Sequence, residues 1–142
     1  MIYTDLTRKA MKIAYEAHKG QVDKAGLPYI YHPIHLAEQM ETEDTCVVAL
    51  LHDVVEDTDI TIDDLMKAGF SDSQLDAIRA MTHEEDVEYL DYVREVKKNP
   101  IATAVKIADI MHNSDIKRIE KPTEKDLSRY ERKYKAAMDI LK

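Results

Sequence analysis

The sequence has 142 residues, a net charge of -8 at pH 7, 44% hydrophobic residues and 34% charged residues. This length fits one domain, residues 1–142, with a core of its own. The negative charge excludes functions that need a basic surface, such as coating nucleic acid. With only 3 Gly and 4 Pro, the composition favours a soluble, mostly helical protein.

Cysteine content and hydropathy indicate the cellular compartment in which the protein is expected. Cys46 is the single cysteine and cannot form an internal disulfide, which fits a reducing cytosol. The first residues have no signal-peptide pattern, and no apolar run reaches the roughly eighteen residues of a membrane-spanning helix. We therefore expect a cytoplasmic protein outside the membrane. Exposed helix faces that carry Met and Tyr leave a homodimer open.

Apolar residues recur with the helical period along most of the chain, which predicts an all-α fold of about eight helices. The predicted helices are 4–18, 34–40, 43–57, 61–67, 71–81, 87–98, 101–118 and 124–141. Residues 19–33 are predicted to form a loop, because glycines and prolines interrupt any period there. Thr61, Ser71 and Thr123 stand where helix N-caps are expected.

The central predicted helix carries two polar residues in an apolar run. From Cys46 to Val55 every residue is apolar except His52 and Asp53. A helix that is apolar nearly all round is buried, so an imidazole and a carboxylate inside it lose their hydration unless something else satisfies them. A divalent metal ion would do so, because both groups are ligands for Zn, Mn or Fe. The alternative is a core helix whose polar end reaches solvent.

Two further carboxylates follow one turn later. On a helix, Glu56 shares a face with His52, and Asp57 shares a face with Asp53. Carboxylates beside candidate metal ligands can accept or donate a proton during a reaction. Glu56 and Asp57 are therefore candidate catalytic residues.

The predicted helix 101–118 shows the same pattern. Lys106, Asp109 and Asn113 lie on one face of an otherwise apolar helix, either as a solvated face or as part of a site with His52 and Asp53. His32 is a further candidate ligand, although a loop histidine can also be only a helix cap. We expect His32 outside a helix, because the following Pro33 disfavours helical backbone there.

Four segments together resemble a known family. They are HKGQ at 18–21, GLPYIYHP at 26–33, ALLHDVVEDT at 49–58 and VKIAD at 105–109. They are similar to the hydrolase domain of RelA/SpoT-type proteins, within the HD-domain phosphohydrolase superfamily. The similarity extends from about residue 5 to about residue 115. The synthetase, TGS and ACT regions of long RelA/SpoT proteins have no counterpart here, so we expect a stand-alone hydrolase unit.

The resemblance implies an all-helical HD fold, one Mn²⁺ ion and removal of the 3′-pyrophosphate of guanosine 3′,5′-bis(diphosphate), ppGpp. By position in the motifs, the resemblance implies the metal ligands His32, His52, Asp53 and Asp109. It also implies that Glu56 and Asp57 position and activate the attacking water. The residues that match positions near the nucleotide are Lys24, Lys106 and Asn113. Another divalent transition metal also suits this ligand set.

The sequence departs from the family in the region expected to contact the nucleotide. Asp23 stands where long RelA/SpoT proteins usually have an arginine against the guanine base, and it can neither stack on a base nor pair with phosphate. Ile110 and Met111 stand where Arg-Leu is typical. The expected ligands are unaffected by these changes, whereas the nucleotide pocket is altered.

Three functions therefore remain open. The first is hydrolysis of ppGpp or a related nucleotide. The second is hydrolysis of another small phosphoester, such as a nucleoside monophosphate, which the change at Asp23 motivates. The third is a non-catalytic nucleotide-binding module, which would be expected to have a damaged site.

Overall fold

The computed structural model describes residues 1–119 and 121–142, and of Ile116 only the backbone. The helices are α1 Asp5–Ala17, α2 Tyr31–Glu38, α3 Glu43–Leu51, α4 Val54–Asp57, α5 Ile62–Lys67, α6 Asp72–Met81, α7 Tyr89–Lys97, α8 Pro100–Asn113, α9 Glu124–Arg129 and α10 Lys135–Leu141. A 3₁₀ turn covers Ile116–Arg118, and a π-helical turn, Tyr130–Tyr134, joins α9 to α10. Within the described ranges there is no β-strand, only an isolated bridge between Val22 and Pro28. The predicted all-α fold is confirmed.

Helix starts follow the predicted caps. Thr61, Ser71 and Thr123 each accept a hydrogen bond from the backbone N–H three residues on, and each belongs to a capping box. Such reciprocal bonds satisfy N–H groups that the first turn of a helix leaves without partners. The local sequence therefore determines where these helices begin.

Helix α3 lies at the centre of the fold and contacts α1, α2, α6 and α8. Each of its residues from Cys46 to Leu51 is fully buried. This agrees with the prediction of a helix that is apolar on all sides. The turn at His52 and Asp53 therefore follows directly on a fully buried stretch of helix.

The predicted helix 43–57 is interrupted at His52 and Asp53, which separate α3 from α4. The Ala49 carbonyl would accept the next helical hydrogen bond, but it lies 2.7 Å from His52 Nδ1. Because a side chain occupies this carbonyl, the regular hydrogen-bond pattern stops. The prediction of one continuous helix was wrong at this turn.

His32 lies inside a helix, contrary to the prediction of a loop. Helix α2 begins at Tyr31, so His32 and Pro33 both belong to its first turn. The first turn tolerates proline because its N–H groups have no partners within the helix. Pro33 was expected to disfavour helical backbone at His32. Because both residues lie in the first turn of α2, His32 is helical nevertheless.

Helix α8 ends at Asn113, five residues before the predicted end at Arg118. It begins at Pro100 under an Asn99 cap, as its sequence favours. After the helix, the Asp115 side chain accepts the Lys117 backbone N–H at 3.1 Å. Such local bonds compete with helix continuation.

The C-terminal helices pack on the middle of the chain. Helix α10 contacts α7 and α8, and Lys97 Nζ donates to the Leu141 carbonyl at 2.6 Å. This packing holds the π-helical turn beside α8. None of the helices in the described ranges combines the length and apolarity needed to cross a lipid bilayer.

Candidate functional site

Four predicted metal ligands meet where α2, α8 and the α3–α4 break come together. His32, His52 and Asp109 are buried, with 3%, 2% and 5% exposure, and the Asp53 side chain is 15% exposed. One ligand atom from each of His32, His52 and Asp109 lies within 4.8 Å of the others. The cluster therefore joins residues that are up to 77 positions apart.

The contacts within the cluster are short. His32 Nε2 lies 2.8 Å from Asp109 Oδ1 and 4.0 Å from Asp53 Oδ2. His52 Nε2 lies 3.0 Å from Asp53 Oδ2 and 3.6 Å from Asp109 Oδ1. Two imidazole nitrogens and two carboxylates thus face one small volume. Their roles as metal ligands remain predictions.

His52 has the orientation of a metal ligand. Its Nδ1 donates to the Ala49 carbonyl, which leaves Nε2 with a lone pair directed at the cluster. This buried Nε2 has no hydrogen-bond partner among the described residues, although two carboxylates lie close. A divalent cation fits this set of nitrogen and oxygen donors.

The charges of the cluster favour a cation. Burial lowers the pKa of His52, yet the negative charges of Asp53 and Asp109 hold it well above the usual value. Burial raises the pKa of Asp109, but the positive charge of Lys106 and the nearby imidazoles of His32 and His52 outweigh this and hold its pKa well below the usual value. Positive charge is thus stabilised at Nε2 of His52, whether a proton or a metal ion carries it.

An outer ring of side chains holds the predicted ligands. Lys106 Nζ lies 2.9 Å from Asp109 Oδ2, and Asn113 Nδ2 donates to Asp109 Oδ1 at 3.1 Å. The predicted shared face of Lys106, Asp109 and Asn113 is therefore confirmed. Tyr29 donates a hydrogen bond to Asp53 Oδ2.

His112 orients His32. The two Nδ1 atoms are 2.7 Å apart, so one of them donates and the other accepts. Burial and the positive charge of Arg118 lower the pKa of His112 to about 4, so His112 is neutral at pH 7 and can accept. In the tautomer that donates from His32 Nδ1 to His112, Nε2 of His32 keeps a lone pair that can bind a metal ion.

Glu56 and Asp57, the predicted catalytic residues, lie on α4 beside the cluster and remain accessible to solvent. Partial burial, followed by the negative charge of Asp53, raises the pKa of Glu56 and of Asp57 above the usual values. A carboxylate with a raised pKa is a stronger base. Proton transfer at the edge of the cluster is therefore chemically reasonable for both.

Two cavities adjoin the cluster. The larger, about 310 Å³, is lined by Lys24, Tyr29, His32, Asn113 and Arg118, among others. The smaller, about 170 Å³, is lined by Glu56, Lys106 and Asp109, among others. The three predicted substrate-binding residues therefore lie in different places: Lys24 lines the larger cavity, Lys106 the smaller, and Asn113 both.

Asp23, the departure from the family pattern, closes the loop beside the larger cavity. Its Oδ1 accepts the backbone N–H groups of Ala25 and Leu27 at 2.8 and 3.0 Å, and its Oδ2 lies 3.0 Å from Arg118 Nη2. Burial raises the pKa of Asp23, but these bonds and Arg118 outweigh it and lower the pKa overall. A guanidinium therefore does line this cavity, but it comes from the segment after α8.

The sequence by itself assigns no role to several side chains of the site. They are Tyr29, His112, Arg118, Lys133 and Tyr134. Tyr29 lies in the quoted PYIYHP segment, and His112 interrupts an apolar helix, so each had a weak signal. Tyr134 lies in the predicted last helix, for which the sequence favours packing over closure on a substrate. Arg118 and Lys133 had no signal, because only the folded chain brings the segment after α8 to the cluster.

Comparison with known proteins supports the resemblance. The chain is 36% identical over 88 residues to a guanosine-3′,5′-bis(diphosphate) 3′-pyrophosphohydrolase of Vibrio cholerae, which covers 59% of this chain and 12% of the relative. It is 33% identical over 118 residues to a GTP pyrophosphokinase of Streptomyces coelicolor, which covers 74% of this chain and 14% of the relative. The chain therefore spans about one eighth of the length of these relatives. No family model matches.

A solved structure agrees over the whole chain. A protein described as a metazoan ortholog of SpoT that hydrolyzes ppGpp and plays a role in starvation responses superposes with a TM-score of 0.81 and 25% identity. The match covers 100% of this chain and 88% of that one. The fold is thus that of an all-helical HD-domain protein. Within that class, the chain is related to the hydrolases of the RelA/SpoT type.

Proposed function

We propose that this chain is a metal-dependent phosphohydrolase that removes the 3′-pyrophosphate of ppGpp or a related nucleotide. The observation that carries the proposal is the buried Nε2 of His52, which faces two carboxylates and has no hydrogen-bond partner among the described residues. The similarity to ppGpp 3′-pyrophosphohydrolases supports the reaction and the substrate. One domain, residues 1–142, would suffice for it, and the buried single thiol of Cys46 suits a cytoplasmic setting.

The proposed metal ligands are His32, His52, Asp53 and Asp109, and the proposed ion is Mn²⁺. When bound, such a cation polarises a phosphoryl oxygen and lowers the pKa of a nearby water. Lys106 and Asn113 hold Asp109 in place through hydrogen bonds at 2.9 and 3.1 Å. Orienting contacts of this kind maintain ligand geometry.

Glu56 and Asp57 are the proposed bases. A water oxygen attacks the phosphorus, its proton passes to one of these carboxylates, and the bond between phosphorus and the ribose 3′ oxygen breaks. The released oxygen then takes up a proton. The raised pKa of Glu56 and Asp57 suits this role, because a base is most effective when its pKa approaches the working pH.

The two cavities suggest how a nucleotide lies. The larger cavity reaches the roughly 300–1,000 Å³ typical of small-molecule sites and carries Lys24, Tyr29 and Arg118, so we place the base and ribose there. The smaller cavity, next to Glu56, receives the phosphoryl group. Asn113 lines both cavities and would contact the substrate at the junction.

A second substrate class is favoured by the loop at Asp23. The ion pair between Asp23 and Arg118 lies in the wall of the larger cavity. Long RelA/SpoT proteins usually have an arginine at the position of Asp23. A smaller phosphoester, such as a nucleoside monophosphate, would need fewer contacts on this wall. The chemistry at the cluster would be the same.

The test is product release from a nucleotide panel that includes ppGpp, measured with Mn²⁺ and again with a chelator. We expect metal-dependent release of pyrophosphate from ppGpp. Turnover of another phosphoester instead would favour the second substrate class. No turnover of any panel member by protein that binds Mn²⁺ would favour a non-catalytic nucleotide-binding module.

Variants separate the chemical step from metal binding. Glu56→Gln and Asp57→Asn should each lower kcat by about 10²–10⁴-fold while Mn²⁺ affinity, measured by calorimetry, is retained. Asp59→Asn is the matched control, since Asp59 is an exposed carboxylate two residues further on. Unchanged kcat in both Glu56→Gln and Asp57→Asn would contradict the assigned roles.

The same roles predict the pH dependence. A base must be deprotonated, so activity falls as the pH drops through its pKa, which for Glu56 lies above the ordinary value of 4.5. The acidic limb of kcat/KM should therefore lie above pH 4.5. An acidic limb that persists unchanged in Glu56→Gln would contradict proton transfer to Glu56.

A further inference from the structure

The smaller cavity contains two lysines with different surroundings. Lys106 is paired with Asp109 at 2.9 Å, and its side chain is only 12% exposed. Its charge therefore already offsets that of a buried carboxylate. Lys133 lines the same cavity and belongs to the π-helical turn between α9 and α10.

The contacts of Lys133 are aromatic. Its Nζ lies 4.5 Å from the ring centroid of Tyr89 and 5.7 Å from that of Tyr134. Within the described ranges, no Asp or Glu forms an ion pair with Lys133. Aromatic faces hold an ammonium group in place without neutralising it, so its charge is directed at whatever occupies the cavity.

The backbone supports a functional role for this position. Residues 130–134 form a π-helical turn within an otherwise α-helical C-terminal segment. A π turn adds one residue to a helical turn and often occurs at functional sites. Here Lys133 and Tyr134, both in this turn, line the cavity together.

The electrostatic surroundings favour an anion. Burial, followed by the positive charges of Arg129, Lys106 and Lys24, lowers the pKa of Lys133. An anion in the cavity would offset this repulsion. The buried hydroxyl of Tyr89, which also lines the cavity, has no hydrogen-bond partner among the described residues and can donate to the same anion.

We propose that Lys133 is a substrate-binding residue whose ammonium group contacts the phosphoryl oxygens next to the scissile bond. Tyr89 donates a hydrogen bond to the same group. This inference rests on the proposed phosphohydrolase function and names the cation that holds the departing pyrophosphate. It also assigns a binding role to the C-terminal helix, in addition to packing.

The test is calorimetric titration of inorganic pyrophosphate into Mn²⁺-saturated protein, with the same free Mn²⁺ in cell and syringe. Lys133→Met should weaken pyrophosphate binding by about tenfold or more, since it removes a charge-assisted contact to the anion. Lys135→Met is the matched control, because Lys135 is exposed on the same helical segment. Lys133→Arg should restore most of the affinity.

Three further measurements show whether a loss of pyrophosphate affinity in Lys133→Met comes from the missing ammonium group. The Mn²⁺ affinity and melting temperature of Lys133→Met should match those of Lys135→Met, which would exclude misfolding and loss of the metal site. In turnover of the preferred nucleotide, Lys133→Met should raise KM. Pyrophosphate affinity equal in Lys133→Met, Lys135→Met and the natural sequence would overturn the inference.

The inference and the proposed function can fail separately. Pyrophosphate binding is measured without turnover, so it tests Lys133 even in protein that hydrolyses nothing on the panel. Turnover that depends on Glu56 but is unaffected by Lys133→Met, together with unchanged pyrophosphate binding, would reject the role of Lys133 alone.

Discussion

The cluster of candidate metal ligands and the wall of the larger cavity are built in different ways. The cluster comes from helices packed around α3, and its side chains His32, His52 and Asp109 are almost fully buried. The wall comes from the loop at Asp23, the segment after α8 and the C-terminal helices. The wall is held by side-chain contacts such as that between Asp23 and Arg118.

We propose that this difference separates the chemical step from substrate selectivity. The matched candidate ligands His32, His52 and Asp109 lie in the helical cluster, while the departure at Asp23 lies in the wall. Connecting segments at a protein surface tolerate change better than a packed core does. The wall can therefore be altered for a new substrate without disturbing the atoms proposed to hold the metal.

The largest effect is expected at the centre of the cluster. Asp109→Asn removes the charge that balances buried Lys106, which should cost about 3–5 kcal/mol of folding stability and abolish measurable Mn²⁺ binding. The measurements are urea denaturation and calorimetry. In the double variant Lys106→Met/Asp109→Asn the stability should largely return, because no buried charge is left without its partner, while Mn²⁺ binding stays absent. Mn²⁺ binding by the double variant at natural affinity would exclude Asp109 as a ligand.

An intermediate loss of Mn²⁺ affinity is expected from substitution of His112, which contacts His32. His112→Phe removes the acceptor for the Nδ1 proton of His32, and Mn²⁺ affinity should fall by about 10–100-fold. His112→Asn supplies an oxygen acceptor and should retain most of the affinity. Calorimetry with Mn²⁺ measures both. Equal losses in the two variants would mean that His112 contributes packing and does not orient His32.

The smallest effect on Mn²⁺ binding is expected from a substitution in the wall. Asp23→Ala removes the bonds to Ala25, Leu27 and Arg118 and should cost about 1–3 kcal/mol of folding stability, with Mn²⁺ affinity unchanged.

The contribution of Asp23 to folding stability should depend on pH, because folding lowers its pKa. This contribution is present above the ordinary pKa of 3.8 and is lost as the pH falls through the folded-state pKa. The stability difference between the natural chain and Asp23→Ala should therefore narrow below pH 3.8. A change in Mn²⁺ affinity would show that wall and cluster are coupled.

The sequence by itself determined the helical class, the helix caps and the residues of the cluster. Capping depends on neighbours three residues apart, as at Ser71 and Gln74, so the local sequence contains the whole signal. His52 and Asp53 were identifiable because polar groups inside an apolar helix require a partner. Asp109 was identifiable for the same reason.

The tertiary structure decided the backbone of the site and the composition of its wall. The helix stops at His52 because an imidazole takes the Ala49 carbonyl, and sequence periodicity does not detect a side chain competing with the backbone. Arg118, Lys133 and Tyr134 reach the cavities only because the C-terminal helices pack back on the middle of the chain. Such contacts join residues far apart in sequence, and the periodicity of a segment reports which face is apolar but not which distant surface covers it.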